Sequence, residues 1–261
     1  MKLEIKGILI TALTVLILPV KVSSAQVSKG EVQRFIVFEL FDSVTGHGVE
    51  FEEWWSAHVS KLIATPGFSS VRSYQKAKVQ LRRPSAVSLP DRMIVCEVNT
   101  ESSTELKSNL KTEGLLANPA LDARSARIFI YRQIEAWSAA TPPLQGDDFR
   151  QLVFGNAMAG REEEFTRWYD NVHSHELVSV PGVVKLQRLA FVDIILGSAE
   201  APPKYISMMD FRTDSIEKFN AGLEEASTRS PNPGTFDGAH AWRVLYQPMG
   251  PQLVRTPKQK Q

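Results

Sequence analysis

Residues 161–182 read REEEFTRWYDNVHSHELVSVPG, and this stretch carries the pattern on which the predicted fold of the chain is built. Three glutamates suit the positive end of a helix dipole, and Pro181-Gly182 cannot continue a helix. At about 100° per residue, one helix face carries Glu176 among apolar residues, with His173 at its edge. A carboxylate in an apolar stripe costs free energy unless it is paired or used in chemistry. The apolar members of that face are Phe165, Trp168, Tyr169, Val172 and Val180.

The same pattern occurs earlier in the chain. Residues 51–58 read FEEWWSAH and are followed by Leu62 and Pro66-Gly67, in the order found in the 161–182 stretch. The spacing from histidine to proline is the same in both copies, whereas the spacing from tryptophan to histidine is one residue shorter in the first copy. An internal repeat of this kind predicts two similar structural units.

Composition excludes some classes of function. The chain has 261 residues, with 30 Lys and Arg against 29 Asp and Glu, interspersed along its length. Because there is no dense basic patch, nucleic-acid binding is not expected. Cys96 is the one cysteine, so an intrachain disulfide is impossible, and its strand-like surroundings indicate a core residue.

The N-terminus predicts export. Residues 1–25 combine two early lysines, an apolar core at 8–20 and small residues before a cleavage point, as in a secretory signal peptide. We therefore expect a secreted or periplasmic protein without a stable membrane span after the signal is removed. The alternative is an uncleaved anchor helix, although the apolar run is short for a span of about 20 residues.

Local patterns divide the remaining chain into a first repeat at 26–138, a linker at 139–147 that contains two prolines and a glycine, a second repeat at 148–247 and a polar, disordered tail at 248–261. In the first repeat, the predicted strands are 34–41, 68–80, 93–98 and 127–134, and the predicted helices are 49–64 and 102–119. In the second repeat, the predicted strands are 150–157, 183–194, 205–211 and 241–247, and the predicted helices are 162–178 and one that opens at 214.

Each repeat therefore has the order β-α-β-β-α-β of the ferredoxin-like unit. Such a unit has helices on one face of its sheet, so the other face needs cover. Two units in one chain can cover each other by packing sheet against sheet. The predicted fold class is α+β, with two tandem ferredoxin-like units in one body.

These features resemble the dimeric α/β-barrel superfamily, in particular its EthD-like branch, as a tandem duplication within one chain. The resemblance covers residues 34–247 and is carried by Trp168-Tyr169, His173 and Pro181-Gly182, with a copy in the first repeat. It implies an intrachain barrel, either a monomeric pseudo-dimer or a homodimer, with pockets between each sheet and its own helices. Members of the superfamily include cofactor-free monooxygenases, muconolactone-type isomerases, polyketide cyclases and dehydratases, and haem enzymes such as chlorite dismutase-like proteins.

The resemblance marks His173, Tyr169, Trp168 and, in the first repeat, His58 as candidate site residues. The first repeat departs from the pattern, because a tryptophan replaces the tyrosine and Lys61 replaces the glutamate.

The spacing of the second copy predicts acid–base chemistry. His173 and Glu176 are three residues apart on a helix, so they can meet, and Tyr169 lies four residues before the histidine. The set comprises a base, a carboxylate that orients it and a phenol that donates to a developing oxyanion. The predicted ligand is small and hydrophobic or aromatic. The predicted ligand-binding residues are Trp168, Phe165, Arg188, His58, Trp54 and Trp55.

Several alternatives stay open from the sequence. His173 and Glu176 can form a purely structural pair, and the pocket can bind a ligand without turnover. Haem is a further alternative to a cofactor-free site, with His173 or His58 as axial ligand. A metal site is not expected, because His173 and His175 lie on different helix faces. For the same reason of helix geometry, Asp170 and His175 are expected to be solvated.

Overall fold

The computed structural model describes residues 31–81, 85, 87–110, 115–139, 144–197 and 201–256. The predicted signal peptide, residues 140–143 of the predicted linker and the last five residues lie outside the described residues. Within the described ranges, no helix is long and apolar enough to cross a membrane.

In its described residues, the first half of the chain contains four strands, two helices and a short 3-10 turn at Leu115–Ala117. Its elements are β1 (Gln33–Phe41), α1 (Gly48–Ala64), β2 (Phe68–Lys76), β3 (Arg92–Thr100), α2 (Ser103–Asn109) and β4 (Arg127–Ser138). The side chain of Ser102 accepts a hydrogen bond from the Glu105 backbone N–H at 3.2 Å, which confirms the capping interaction that the sequence predicted at the start of α2.

The second half repeats this order and adds a short final strand. Its elements are β5 (Asp147–Gly155), α3 (Glu162–Trp168), a π-helical turn (Tyr169–His173), α4 (Ser174–Val178), β6 (Val183–Leu196), β7 (Tyr205–Thr213), α5 (Ile216–Arg229), β8 (Trp242–Pro248) and β9 (Leu253–Val254). Ser215 caps α5 by accepting from the Lys218 backbone N–H at 3.2 Å.

Eight antiparallel strands close into a barrel, so the fold is α+β. The strand order is β3-β1-β4-β6-β7-β5-β8-β2, and β2 pairs back onto β3. The two halves meet at two seams, between β4 and β6 and between β2 and β8. Closure leaves no free sheet edge in the ring, which removes the hazard of unpaired backbone groups.

Alternation along the strands separates three hydrophobic layers. Residues on one face fill the barrel lumen, including Phe38, Tyr131, Phe154 and Trp242. Residues on the other face pack under the helices of their own half, in one layer around Phe51 and another around Phe211.

Some predicted element boundaries differ from the structure. Strand β2 ends at Lys76 instead of extending to residue 80, and α2 is only seven residues long. The tail predicted to be disordered contains β9, which pairs with Ser70 and Val71. Strand β8 pairs only with Tyr74–Lys76 of β2, so Ser70 and Val71 are free to pair with β9.

The helix predicted over 162–178 is interrupted by the π-helical turn. The backbone N–H of Ser174 donates to the carbonyl of Tyr169, five residues earlier. In α1, Trp54 stacks on His58 across four residues with ring centroids 5.0 Å apart. In the second half, Trp168 stacks on His173 across five residues at 4.5 Å. The π-helical turn thus accommodates the one extra residue between tryptophan and histidine.

This turn corrects the predicted helix face. A π turn adds one residue without adding a helical turn, so residues after it are rotated from their α-helical positions. Val172, predicted to face the core, is 43% exposed. Glu176 is only partly buried and lies at the margin of the layer, not in the middle of an apolar stripe.

Candidate functional site

A cavity of about 1080 Å³ lies between the sheet of the second half and its helices. Strands β5 to β8 form its floor, and α3, the π-helical turn, α4 and α5 form its walls. The lining includes Gln151, Val153, Phe165, Trp168, Tyr169, His173, Leu177, Arg188, Tyr205, Ser207, Leu223, Ser230 and Phe236. The predicted residues Phe165, Trp168, Tyr169, His173 and Arg188 are thus brought together around one cavity.

The His173 imidazole is oriented by a contact with Ser230. The imidazole Nδ1 lies 2.9 Å from the Ser230 hydroxyl, and that hydroxyl donates its hydrogen to the Ala226 carbonyl at 3.1 Å. A serine has one hydroxyl hydrogen, so a Ser230 hydroxyl that donates to Ala226 accepts from the Nδ1–H of His173. The other ring nitrogen, Nε2, therefore carries the lone pair.

Burial lowers the pKa of His173 to about 4. The imidazole is consequently neutral at physiological pH, with Nε2 able to accept a proton or a hydrogen bond. Stacking on Trp168 restricts rotation of the ring.

The predicted pairing of His173 with Glu176 is wrong. Glu176 accepts a hydrogen bond from Arg229 Nε at 2.6 Å, and Arg229 also pairs with Glu225 at 2.7 Å. Helix α5 presents Arg229 to the glutamate, and the same helix leads into Ser230, which takes the orienting position. Ser230 is 57 residues from His173 in the chain, and no local pattern identifies it.

Tyr169 donates its phenolic hydrogen to Ser207 at 2.6 Å. Burial raises the pKa of Tyr169 to about 12, so the phenol is protonated at physiological pH. Its hydrogen is therefore engaged within the protein, whereas the predicted role required donation to a ligand. Ser207 retains its own hydroxyl hydrogen and lines the cavity.

Arg188 is a buried cation in the cavity wall, 2% exposed. Its guanidinium donates to Asp170 at 2.7 Å and lies over the rings of Tyr205, Tyr169 and Phe165 at 4.7, 5.2 and 5.2 Å. Asp170 was expected to be solvated, and it is instead the counter-ion of this arginine. A buried charge needs such a partner, so the pair places a nearly neutral, polarisable surface beside the cavity.

Two buried N–H groups of the site have no hydrogen-bond partner among the described residues. They are Nε1 of Trp168 and Nε of Arg188. Buried polar groups are almost always satisfied in native proteins. These donors indicate a site at which a ligand or water oxygen completes the hydrogen bonding.

The corresponding region of the first half is filled by side chains. Trp54, Trp55 and His58 pack around Phe41, and His58 Nε2 lies 2.6 Å from the buried Glu39 carboxylate. None of these residues lines the cavity, so the structure gives Trp54, Trp55 and His58 packing partners in place of the predicted ligand.

The strand positions explain this difference between the halves. Phe41 and Glu39 correspond to Gly155 and Val153 at the offset of 114 residues that relates Phe51 to Phe165. Val153 is smaller than Glu39, and the space beside Gly155 holds the ring of Phe236, which lines the cavity.

A protein-only metal centre is not formed in the part of the chain that the structure describes, where no three His, Cys, Asp or Glu side chains converge. Haem requires one axial ligand, and His173 fits that role chemically. Its imidazole is neutral, its Nε2 carries the lone pair, and its Nδ1–H is bonded to a neighbour, as in metal-binding histidines.

No family model matches the chain, and no curated protein matches it at a significant level. Solved structures do match over most of the chain. An anthrone oxidase-like protein has a TM-score of 0.55 at 10% identity, covering 89% of this chain and 97% of its own. A proposed monooxygenase from Fusobacterium nucleatum subsp. nucleatum has a TM-score of 0.55 at 8% identity, covering 84% and 93%. A mutant chlorite dismutase from Candidatus Nitrospira defluvii has a TM-score of 0.53 at 13% identity, covering 84% and 93%.

These similarities establish the fold. The chain has the eight-stranded dimeric α/β-barrel architecture of monooxygenase-like and chlorite dismutase-like proteins. Identities this low say nothing about chemistry, because one fold hosts many reactions.

Proposed function

We propose that the chain is an exported, cofactor-independent enzyme of the EthD-like type that moves a proton on a small hydrophobic or aromatic molecule. We further propose that its two halves arose by tandem duplication of a ferredoxin-like unit. The matching positions support this origin, since Phe51 and Trp54 precede Phe165 and Trp168 by 114 residues, and His58 precedes His173 by 115.

The observation that carries the proposed function is the geometry of His173. Its Nδ1–H is bonded to Ser230, and Nε2 is left as a lone-pair acceptor in a cavity lined by aromatic rings. A purely structural histidine would be expected to use both nitrogens within the protein. Here the basic nitrogen is the one without a described partner.

A pKa of about 4 makes His173 a weak base in the empty cavity. An anion formed beside the ring raises the pKa of the imidazole, because opposite charges stabilise each other where water is excluded. The Trp168 Nε1–H and the Ser207 hydroxyl are donors for the oxygen that takes the negative charge. The favoured substrate is therefore a flat carbon or oxygen acid with a delocalised conjugate base.

The experiment follows the proton directly. Anthrone, a flat molecule with an acidic C–H bond, is incubated with the protein in oxygen-free D₂O, and exchange of that hydrogen is followed by NMR. We expect accelerated exchange with the wild-type protein and a loss of about 10²-fold or more in His173→Asn, the usual contribution of a general base. Asparagine can still donate to Ser230 but lacks a nitrogen at the Nε2 position.

The matched control is His175→Asn, which changes an exposed histidine two residues away. This variant is expected to exchange at the wild-type rate. Equal loss in both variants, or unchanged exchange in His173→Asn, would overturn the proposed role of His173. Saturable anthrone binding without exchange would favour a non-catalytic binding protein, which is the alternative that the unpartnered Trp168 and Arg188 donors support.

A haem-binding protein is a second candidate, supported by the tautomer of His173. When bound, haem would supply redox chemistry at its iron. In that case His173 would be the axial ligand and Ser230 would orient its ring. An absorption spectrum of protein expressed with haem tests this candidate, since a Soret band that is lost in His173→Asn and kept in His175→Asn would replace the cofactor-free proposal.

A further inference from the structure

A second group of polar residues lies outside the cavity, at one end of the barrel lumen. The lumen is apolar along most of its length, but inward-facing positions toward one end carry charged side chains. Arg34 on β1 pairs with Glu97 on β3 at 2.5 Å. Arg150 on β5 donates to both carboxylate oxygens of Asp210 on β7, at 2.6 and 2.7 Å. These two pairs are satisfied within the protein.

The third carboxylate is shared by two arginines. Asp148 accepts from Arg212 at 2.8 Å, while Arg72 on β2 approaches the same carboxylate only to 3.8 Å. The Nε of Arg72 is buried and has no hydrogen-bond partner among the described residues. The hydroxyl of Tyr74, two residues along the same strand and 1% exposed, is buried beside the Arg72 guanidinium and has no well-formed hydrogen bond.

Lys185 faces the same region from β6. In the ring of strands β6 lies opposite β2, four strands away in either direction, and both Lys185 and Arg72 occupy inward-facing positions of their strands. Lys185 is partly buried, and its ammonium pairs with no residue in the part of the chain that the structure describes. Burial and then the neighbouring Arg34 lower the pKa of Lys185, against the opposing attraction of Glu97 and Asp210.

Charge at this end is therefore unbalanced. Three carboxylates, Glu97, Asp210 and Asp148, stand against five cations, Arg34, Arg150, Arg212, Arg72 and Lys185. If the cluster only closed the barrel end, its charges would be expected to balance, because an unpaired, partly buried cation costs stability. The lumen of an eight-stranded barrel is wide enough for side chains or one small ligand.

We propose that this end of the barrel binds a phosphate-class oxyanion between Lys185 and Arg72, with the Tyr74 hydroxyl as a further donor. Such an anion supplies the acceptors that the three donors lack and neutralises the excess charge. Its source is either free inorganic phosphate or the phosphate group of an organic molecule. The site is separate from the cavity around His173, and it does not depend on the function proposed for that cavity.

The test uses the full chain and two probes, inorganic phosphate and phenyl phosphate. Binding is measured by calorimetry, and unfolding by urea, in phosphate and in sodium chloride of equal ionic strength. We expect saturable binding to the wild-type protein and at least tenfold weaker binding to Lys185→Met. Tighter binding of phenyl phosphate would indicate an organic phosphate as the ligand, and equal binding of the two probes would indicate the free anion.

The same variant distinguishes a binding lysine from a structural one. In chloride, Lys185→Met is expected to be more stable than the wild-type protein, because burial and the neighbouring Arg34 oppose the charge of Lys185 more than Glu97 and Asp210 favour it. The control Lys218→Met, at an exposed position of α5, should keep wild-type phosphate binding. The proposal is overturned if the wild-type protein binds neither probe, if Lys185→Met binds them as tightly as the wild type, or if Lys185→Met is less stable in chloride.

Discussion

Replacing His173 by asparagine should remove a defined part of the pH dependence of stability. The folded-state pKa of about 4 lies well below the ordinary value of 6.5, and burial is its cause. Between these two pH values the unfolded chain carries an imidazolium that the folded chain does not. Unfolding then takes up a proton, so the free energy of unfolding falls as the pH is lowered through this window.

The size of this contribution follows from the difference of about 2.5 pH units between the two pKa values. At about 1.4 kcal/mol per unit, the wild-type protein loses about 3 kcal/mol through His173 between neutral pH and pH 4. The variant lacks this group. Carboxylates titrate in both proteins, so the informative quantity is the difference in stability between the wild type and the variant.

The assay is urea unfolding followed by tryptophan fluorescence at several pH values from 7 to 4. The stability of the wild type relative to His173→Asn should decline by about 3 kcal/mol across the series. His175→Asn, at an exposed position, should follow the wild type. A constant difference between the wild type and His173→Asn would refute the claim that this imidazole is buried and neutral.

Two further predictions concern the elements around the site. Asp170→Ala leaves Arg188 buried without its counter-ion and should lower the free energy of unfolding by about 3 kcal/mol, as measured by urea unfolding. The Asp170→Ala, Arg188→Met double variant should recover part of this loss. A loss below about 1 kcal/mol would contradict the pairing. Deleting Asn171 should convert the π-helical turn to regular helix and keep the fold, with stability within about 1 kcal/mol of wild type. The control is deletion of Ser60 from the regular helix α1, which rotates the following residues by about 100° and should be strongly destabilising. An equal loss of unfolding free energy from both deletions would contradict our interpretation of the turn.

Much of the architecture could be predicted because its signals are local. The alternation of apolar residues in β1, the capping serine before α2 and the Pro-Gly pairs after the helices each depend on neighbours within a few residues. The repeated aromatic–histidine pattern also identified the helix that lines the cavity. Trp168, Tyr169 and His173 were found in this way.

The partners of those residues were not predictable from spacing. An ideal α-helical wheel placed Glu176 beside His173, but the π-helical turn rotates the residues that follow it. Glu176 instead forms an ion pair with Arg229 of α5. Asp170 faced solvent on the same wheel and is instead bonded to Arg188 on the sheet. Each error comes from treating the helix as regular and isolated.

By itself, the sequence determined the order of strands and helices, the aromatic–histidine repeat and the inward positions of Phe165, Trp168 and Tyr169, since periodicity is a property of neighbouring residues. The tertiary structure alone decided that Ser230 orients His173, that the cavity lies in the second half, and that β6 lies opposite β2 in the barrel. These features depend on residues far apart in the chain, and folding brings them within contact distance only when the barrel closes.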